Sequence, residues 1–137
     1  MPFVVDASVI ASWLMPDEND PVAQAMAARF ASDTASAPAL FWFEIRNIFL
    51  IAERRGRVTS QETALALALL RDLRIEHPDD VTEPDLLALA RKHRLTVYDA
   101  SYLELALRMD VPLATLDQEL VGAAKSEGVT LIGVAEK

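Results

Sequence analysis

Residues 3–14 read "FVVDASVIASWL". Three apolar residues run into an acid, Asp6, and a helical stretch through Trp13 and Leu14 follows at once. A second unit of this kind comes late, where "VPLATL" (111–116) ends on Asp117 and "QELVGAAKSEG" (118–128) reads as a helix. Strands that alternate with helices of 10–15 residues indicate a parallel sheet covered on both faces.

The segments between these units fit that plan. "PVAQAMAARFAS" (21–32) is helical, with Val22, Met26 and Phe30 at four-residue steps. "APALFWFEIRNIFLIAERRG" (37–56) is helical from about Trp42 and closes on Gly56, a C′ glycine. Thr59 with Glu62 forms a capping box that opens a Leu-rich helix to about Leu73. "RIEH" (74–77) reads as a short strand, and Thr82 with Asp85 as a second cap before "DLLALARKHR" (85–94). "TVYDASYLELAL" (96–107) is a helix that continues to about Met109, and "VTLIGV" (129–134) reads as a last strand. The expected fold class is therefore α/β, with residues 1–137 as one domain. In such folds ligands gather beyond the carboxyl ends of the strands, at a topological switch point.

The composition narrows the function classes. The 52% hydrophobic content suits a globular core, and no apolar run approaches the ~20 residues that span a bilayer. The start of the chain lacks the basic and apolar regions of a signal peptide, so the cytoplasm is the expected compartment and no membrane association is expected. There is no cysteine, which removes disulfides, zinc thiolates and iron–sulfur clusters. Lys and Arg number 13 against 21 Asp and Glu, a formal net charge of −8. A passive nucleic-acid coat carries the opposite sign, because its affinity comes from neutralising phosphates. An acidic enzyme site that holds cations remains open.

Four acids stand out. Asp6 and Asp117 end predicted strands and should emerge at the same rim of the sheet. Glu44 lies in the first turn of its helix, on the face of Ile48 and Ile51, and Asp99 lies one turn before Leu103 on an apolar stripe. Read singly, each has a structural explanation, since acids at helix starts cap the helix or complement its dipole. Read together, they repel: two like charges ~5 Å apart cost about 3 kcal/mol at an effective dielectric of 20. A cluster of four must take up protons or hold a cation. Without cysteine or a suitably spaced histidine pair, all-oxygen ligation points to Mg²⁺ or Mn²⁺. Such ions activate water and clamp phosphate oxygens, so phosphodiester hydrolysis is the natural reaction.

At these residues the chain also resembles a known family. "VVDASVIASWL", "PALFWFEIRNIF", "TVYDASYLELA" and "PLATLDQEL" are similar, in order and spacing, to PIN-domain ribonucleases, and among them to the VapC-type toxins of bacterial toxin–antitoxin pairs. The resemblance spans essentially the whole chain. It implies a PIN-like α/β/α sandwich around a short parallel β-sheet, with Mg²⁺- or Mn²⁺-dependent cleavage of RNA. It implies Asp6, Asp99 and Asp117 as direct or water-mediated metal ligands, with Glu44 orienting or deprotonating water or joining the ligands. Ser8, Asn47 and Thr115 match positions that hold carboxylates or waters in place. An antitoxin partner and a homodimer are implied as well. A different class of reading is a catalytically silent module of the same fold that acts only by pairing with a partner.

Other features have competing explanations. Arg46, Arg54, Arg55 and Arg57 either contact RNA phosphates or, the favoured reading, complement a helix C-terminus. "LFWF" (40–43) and Trp13 pack in the core or line a groove for an antitoxin segment. "PDEND" (16–20) reads as a solvated loop with a cap, and His77 and His93 as surface or loop residues.

Overall fold

The computed structural model describes residues 1–134. Strand β1 (Phe3–Val5) passes through Asp6 into helix α1 (Ala7–Leu14). Helix α2 (Pro21–Arg29), strand β2 (Ala35–Ser36) and helix α3 (Phe41–Arg54) follow. Helices α4 (Ser60–Asp72), α5 (Glu83–His93) and α6 (Val97–Met109) come next, then strand β3 (Leu113–Ala114) and helix α7 (Gln118–Ser126). The sheet is parallel in the order β2-β1-β3, with Phe3 opposite Ala35, Val4 opposite Ser36 and Leu113, and Val5 opposite Ala114.

Burial explains why three residues suffice for the central strand. Phe3, Val4 and Val5 are fully buried, and helices cover both faces, as a parallel sheet requires. The chain leaves β1 toward β2 on one side and returns to β3 on the other, so a switch point lies between the carboxyl ends of β1 and β3. Asp6 and Thr115 sit there.

The helix signals hold at several termini. Thr59 and Glu62 form the reciprocal capping box, and Gly56, at φ +74°, follows α3. Asp20 of the acidic loop caps α2 through Val22 and Ala23. Thr82 stands at the N-cap of α5 without a side-chain bond. Among the described residues no helix is long and apolar enough to cross a membrane.

The strands depart more from expectation. Strand β2 lies in a stretch without a strand signal, because its two small residues carry no β-branched or aromatic side chain. "RIEH" contributes one parallel bridge, Ser36 with Glu76, since Arg74 at φ +56° still belongs to the turn that ends α4. "VTLIGV" contributes one bridge, Leu113 with Leu131, and then turns at Gly133. Gly133 has φ +76°, and a Cβ there would meet Val22 Cα at 3.0 Å and Ala25 Cβ at 3.1 Å. Only glycine lets this turn lie against α2.

Two glycines therefore separate two effects. Gly56→Ala meets only the left-handed backbone penalty, about 1–2 kcal/mol. Gly133→Ala adds a clash with backbone and should cost more. Urea denaturation of both variants checks this; equal losses would mean that α2 yields freely.

Candidate active site

Asp6 is the centre of the site. It is 5% exposed and caps α1, accepting the Val9 amide through Oδ1 at 3.2 Å. The Ser8 hydroxyl donates to the same oxygen at 2.5 Å, and the Thr115 hydroxyl donates to Oδ2. Both hydroxyls also accept from the β3–α7 turn: the Leu116 amide donates to Ser8 Oγ at 3.2 Å and the Asp117 amide to Thr115 Oγ1 at 3.0 Å. One carboxylate thus ties the carboxyl ends of β1 and β3 together. Burial pushes the Asp6 carboxyl above the ordinary range, against the pull of those donors.

The other acids stand at helix starts around this node. Asp117 caps α7, with Oδ1 accepting the Glu119 and Leu120 amides at 2.9 and 3.2 Å. Asp99 is half-buried and is not the cap of α6; Thr96 is, its hydroxyl accepting the Asp99 amide at 3.1 Å. Glu44 lies in the first turn of α3 and accepts a hydrogen bond from the Tyr102 hydroxyl. Burial raises Glu44, and the charges of Asp6 and Asp99 raise it further. Burial also raises Asp99, helped by Asp117 and Glu119. Asp6 and Asp99 thus lie near enough to act on Glu44, and Asp117 near enough to act on Asp99.

Tyr102 is the site residue that the sequence reading missed. It is buried on the apolar face of α6, where it passes for core. The signal was its hydroxyl, which needs a partner when buried.

The donor chemistry suits a hard divalent cation. The carboxylates are oxygen-only ligands, and three of them are pushed toward protonation, a strain that a cation relieves. Yet among the described residues no three acidic or histidine side chains stand as a group that could hold an ion. Asp6 is turned to its hydroxyls and Asp117 to its own helix.

The PIN domain family model matches residues 3–126 of this chain. The chain belongs to the PIN-domain family. A curated relative, Ribonuclease VapC3 of Pyrobaculum aerophilum, is 35% identical over 124 residues, covering 88% of this chain and 92% of the relative. The crystal structure of PAE2754 from Pyrobaculum aerophilum superposes with a TM-score of 0.67 at 24% identity, covering 96% of this chain and 92% of that one. FitAcB from Neisseria gonorrhoeae gives a TM-score of 0.60 at 18% identity, covering 95% of this chain and 96% of that one. Both structures share the fold of this PIN domain.

The remaining candidates divide. Asn47 is exposed and lines a shallow cavity with Leu40, Phe43, Glu44 and Tyr98, without reaching a carboxylate. Arg57 is held by the "PDEND" loop, Nε to Asp17 at 3.0 Å and Nη2 to Glu18 at 2.6 Å, so that loop is a clasp as well as a cap. Arg46 lies over the rings of Trp42 and Phe43, while Arg54 and Arg55 are exposed. "LFWF" splits: Phe41 is core, Trp42 donates to His77 Nε2 at 2.8 Å, and only Phe43 is exposed. Trp13 is half-buried and stacks on Phe30. His77, bonded through Nδ1 to the Ala37 carbonyl, is a structural strap rather than a loop bystander. His93 likewise pairs with Glu127 at 2.6 Å.

These shifts predict a pH signature. Acids raised in the folded state bind protons there more readily than in the unfolded chain, so stability falls as pH rises from the ordinary carboxyl values, about 3.9–4.3, through the raised ones. Asp17, Asp33 and Glu127, lowered by their hydrogen-bond partners, act in the opposite direction. The contrast between wild type and Asp99→Asn cancels that background. In EDTA, wild type should lose more melting temperature than the variant between about pH 4 and pH 7. Parallel curves would mean that Asp99 does not share the pocket's charge.

Proposed function

We propose that this PIN domain is a metal-dependent endoribonuclease and the toxin of a toxin–antitoxin pair. The observation that carries the reading is the buried Asp6 node, with Glu44, Asp99 and Asp117 at three further helix starts around it. The 35% identity to Ribonuclease VapC3 across most of both chains supports RNA as substrate. An antitoxin partner and a homodimer belong to the same proposal, through the VapC resemblance.

Asp6, Asp99 and Asp117 would hold Mg²⁺ or Mn²⁺, directly or through water, and Ser8 and Thr115 fix the Asp6 carboxylate. Such an ion would supply Lewis-acid polarisation of the phosphate and a more acidic water. Glu44 is suited to take the proton of the attacking water, because its raised carboxyl is a better base near neutral pH than an ordinary one. The Tyr102 hydroxyl keeps its orientation fixed. Water adds at phosphorus, one ester P–O bond breaks, and the departing oxygen takes a proton. The N-termini of α3 and α6 add partial positive charge where an anionic substrate approaches.

Asp99→Asn is the cleanest test, because Thr96 keeps the cap of α6. Single-stranded RNA should be cleaved by wild type with Mn²⁺ or Mg²⁺ and left intact with EDTA. The variant should melt as a folded protein and lose more than the about 10–100-fold typical of removing an outer partner of a metal site. Near wild-type cleavage by the variant rejects the ligand role. RNA left intact by wild type under both metals favours the silent binding module.

A further inference from the structure

The two acids that come from helix first turns are each preceded by an exposed aromatic residue. Phe43, before Glu44, is 73% exposed, and Tyr98, before Asp99, is 64% exposed. The rings come from helices far apart in sequence, yet both line one open cavity of about 240 Å³ that Glu44 and Asn47 share. Folding ordinarily buries such residues, as it does Phe41, Phe49 and Tyr102 on these same two helices. Successive residues on a helix point about 100° apart, so each ring stands beside its acid rather than over it.

From this juxtaposition we propose that Phe43 and Tyr98 form a stacking subsite for unpaired bases of the substrate, next to the phosphate being cleaved. The inference rests on the ribonuclease reading and assigns the two side chains that would hold the bases of its substrate. Three features favour bases over another occupant. The cavity is continuous with the acid-bearing helix starts, so what it grips lies beside the reacting bond. At a net charge of −8, with Arg57 committed to Asp17 and Glu18, phosphate neutralisation is a poor source of affinity. Stacking is indifferent to that charge and to base sequence. Finally, Arg46 lies 5.6 Å from the Phe43 ring centroid, so the subsite also holds a guanidinium, a group that itself stacks on bases. Paired bases cannot enter such a site, since their faces are occupied by neighbours in the helix.

The test uses fluorescein-labelled single-stranded RNA of mixed sequence, the same strand annealed to its complement, and a strand abasic at alternate positions. Cleavage with Mn²⁺ gives KM and kcat, and anisotropy in EDTA gives binding without turnover. Phe43→Ala and Tyr98→Ala should each raise KM and weaken binding of the intact strand about 5- to 150-fold, the range of one lost stack. Values of kcat should stay within about twofold, and melting temperatures should not move, as for exposed positions generally. Phe43→Tyr and Tyr98→Phe, which keep the ring, should restore wild-type KM. Wild type should bind duplex and abasic RNA as weakly as the alanine variants bind the intact strand. Unchanged KM and binding in both alanine variants overturns the proposal. So does an equal loss on abasic RNA, or normal handling of RNA together with escape from a cognate antitoxin, which would give the face to a protein. If wild type cleaves nothing, the ribonuclease reading fails, and the anisotropy arm alone decides the subsite.

Discussion

The carboxylate of Asp6 is the constraint on which the rest of this molecule hangs. It is buried, it begins the first helix, and its hydroxyl donors come from Ser8 and from Thr115, 109 residues further on. Those hydroxyls in turn receive the Leu116 and Asp117 amides. The register between the ends of β1 and β3 is therefore set by polar atoms as well as by the apolar ladder. An apolar residue at position 6 would strand a ring of donors, at about 1–3 kcal/mol for each that found no substitute. The atoms that assemble the switch point also form the centre of the candidate site.

Four acids in one region is an unusual thing for an acidic chain to build, and helix geometry makes it tolerable. Asp6 and Asp117 cap α1 and α7, while Glu44 and Asp99 lie in the first turns of α3 and α6. Each carboxylate meets the positive end of a helix dipole, which offsets part of the mutual repulsion. Structural and functional readings of these residues are thus not alternatives at Asp6 and Asp117. At Asp99 they are, because Thr96 already holds the cap. Burial nonetheless leaves the carboxyls of Asp6, Glu44 and Asp99 above the ordinary range.

Legibility in the sequence followed the strength of local signals. Helices could be read because caps and apolar periodicity are local: Thr59 with Glu62, and Gly56 after α3, stand where the pattern puts them. Strands were harder. "FVV" is β-rich and readable, but Ala35–Ser36 is a strand only because β1 lies beside it. Glu76 and Leu131 pair through single bridges for the same tertiary reason. Within the site, the acids at strand ends and helix starts were visible as positions, along with Ser8 and Thr115 at a spacing of two. What was not visible is which partner each would choose. Tyr102 meets Glu44 across 58 residues, Arg57 closes on Asp17 and Glu18 across about 40, and His77 reaches Trp42 across 35. No local pattern encodes such pairings.

The abbreviated outer rungs of the sheet bear on how this protein behaves in a crowd. A long exposed edge strand offers unpaired amides and carbonyls to any passing chain, and such edges seed aggregation. Here the outermost rungs beside β2 and β3 are single residues, Glu76 and Leu131. On one side Pro78 follows within two residues and has no amide to give. On the other, the chain turns away at Gly133 against α2. A second molecule would find almost no ladder to extend. The brevity that hides these strands from a reader of the sequence also hides them from their neighbours in solution.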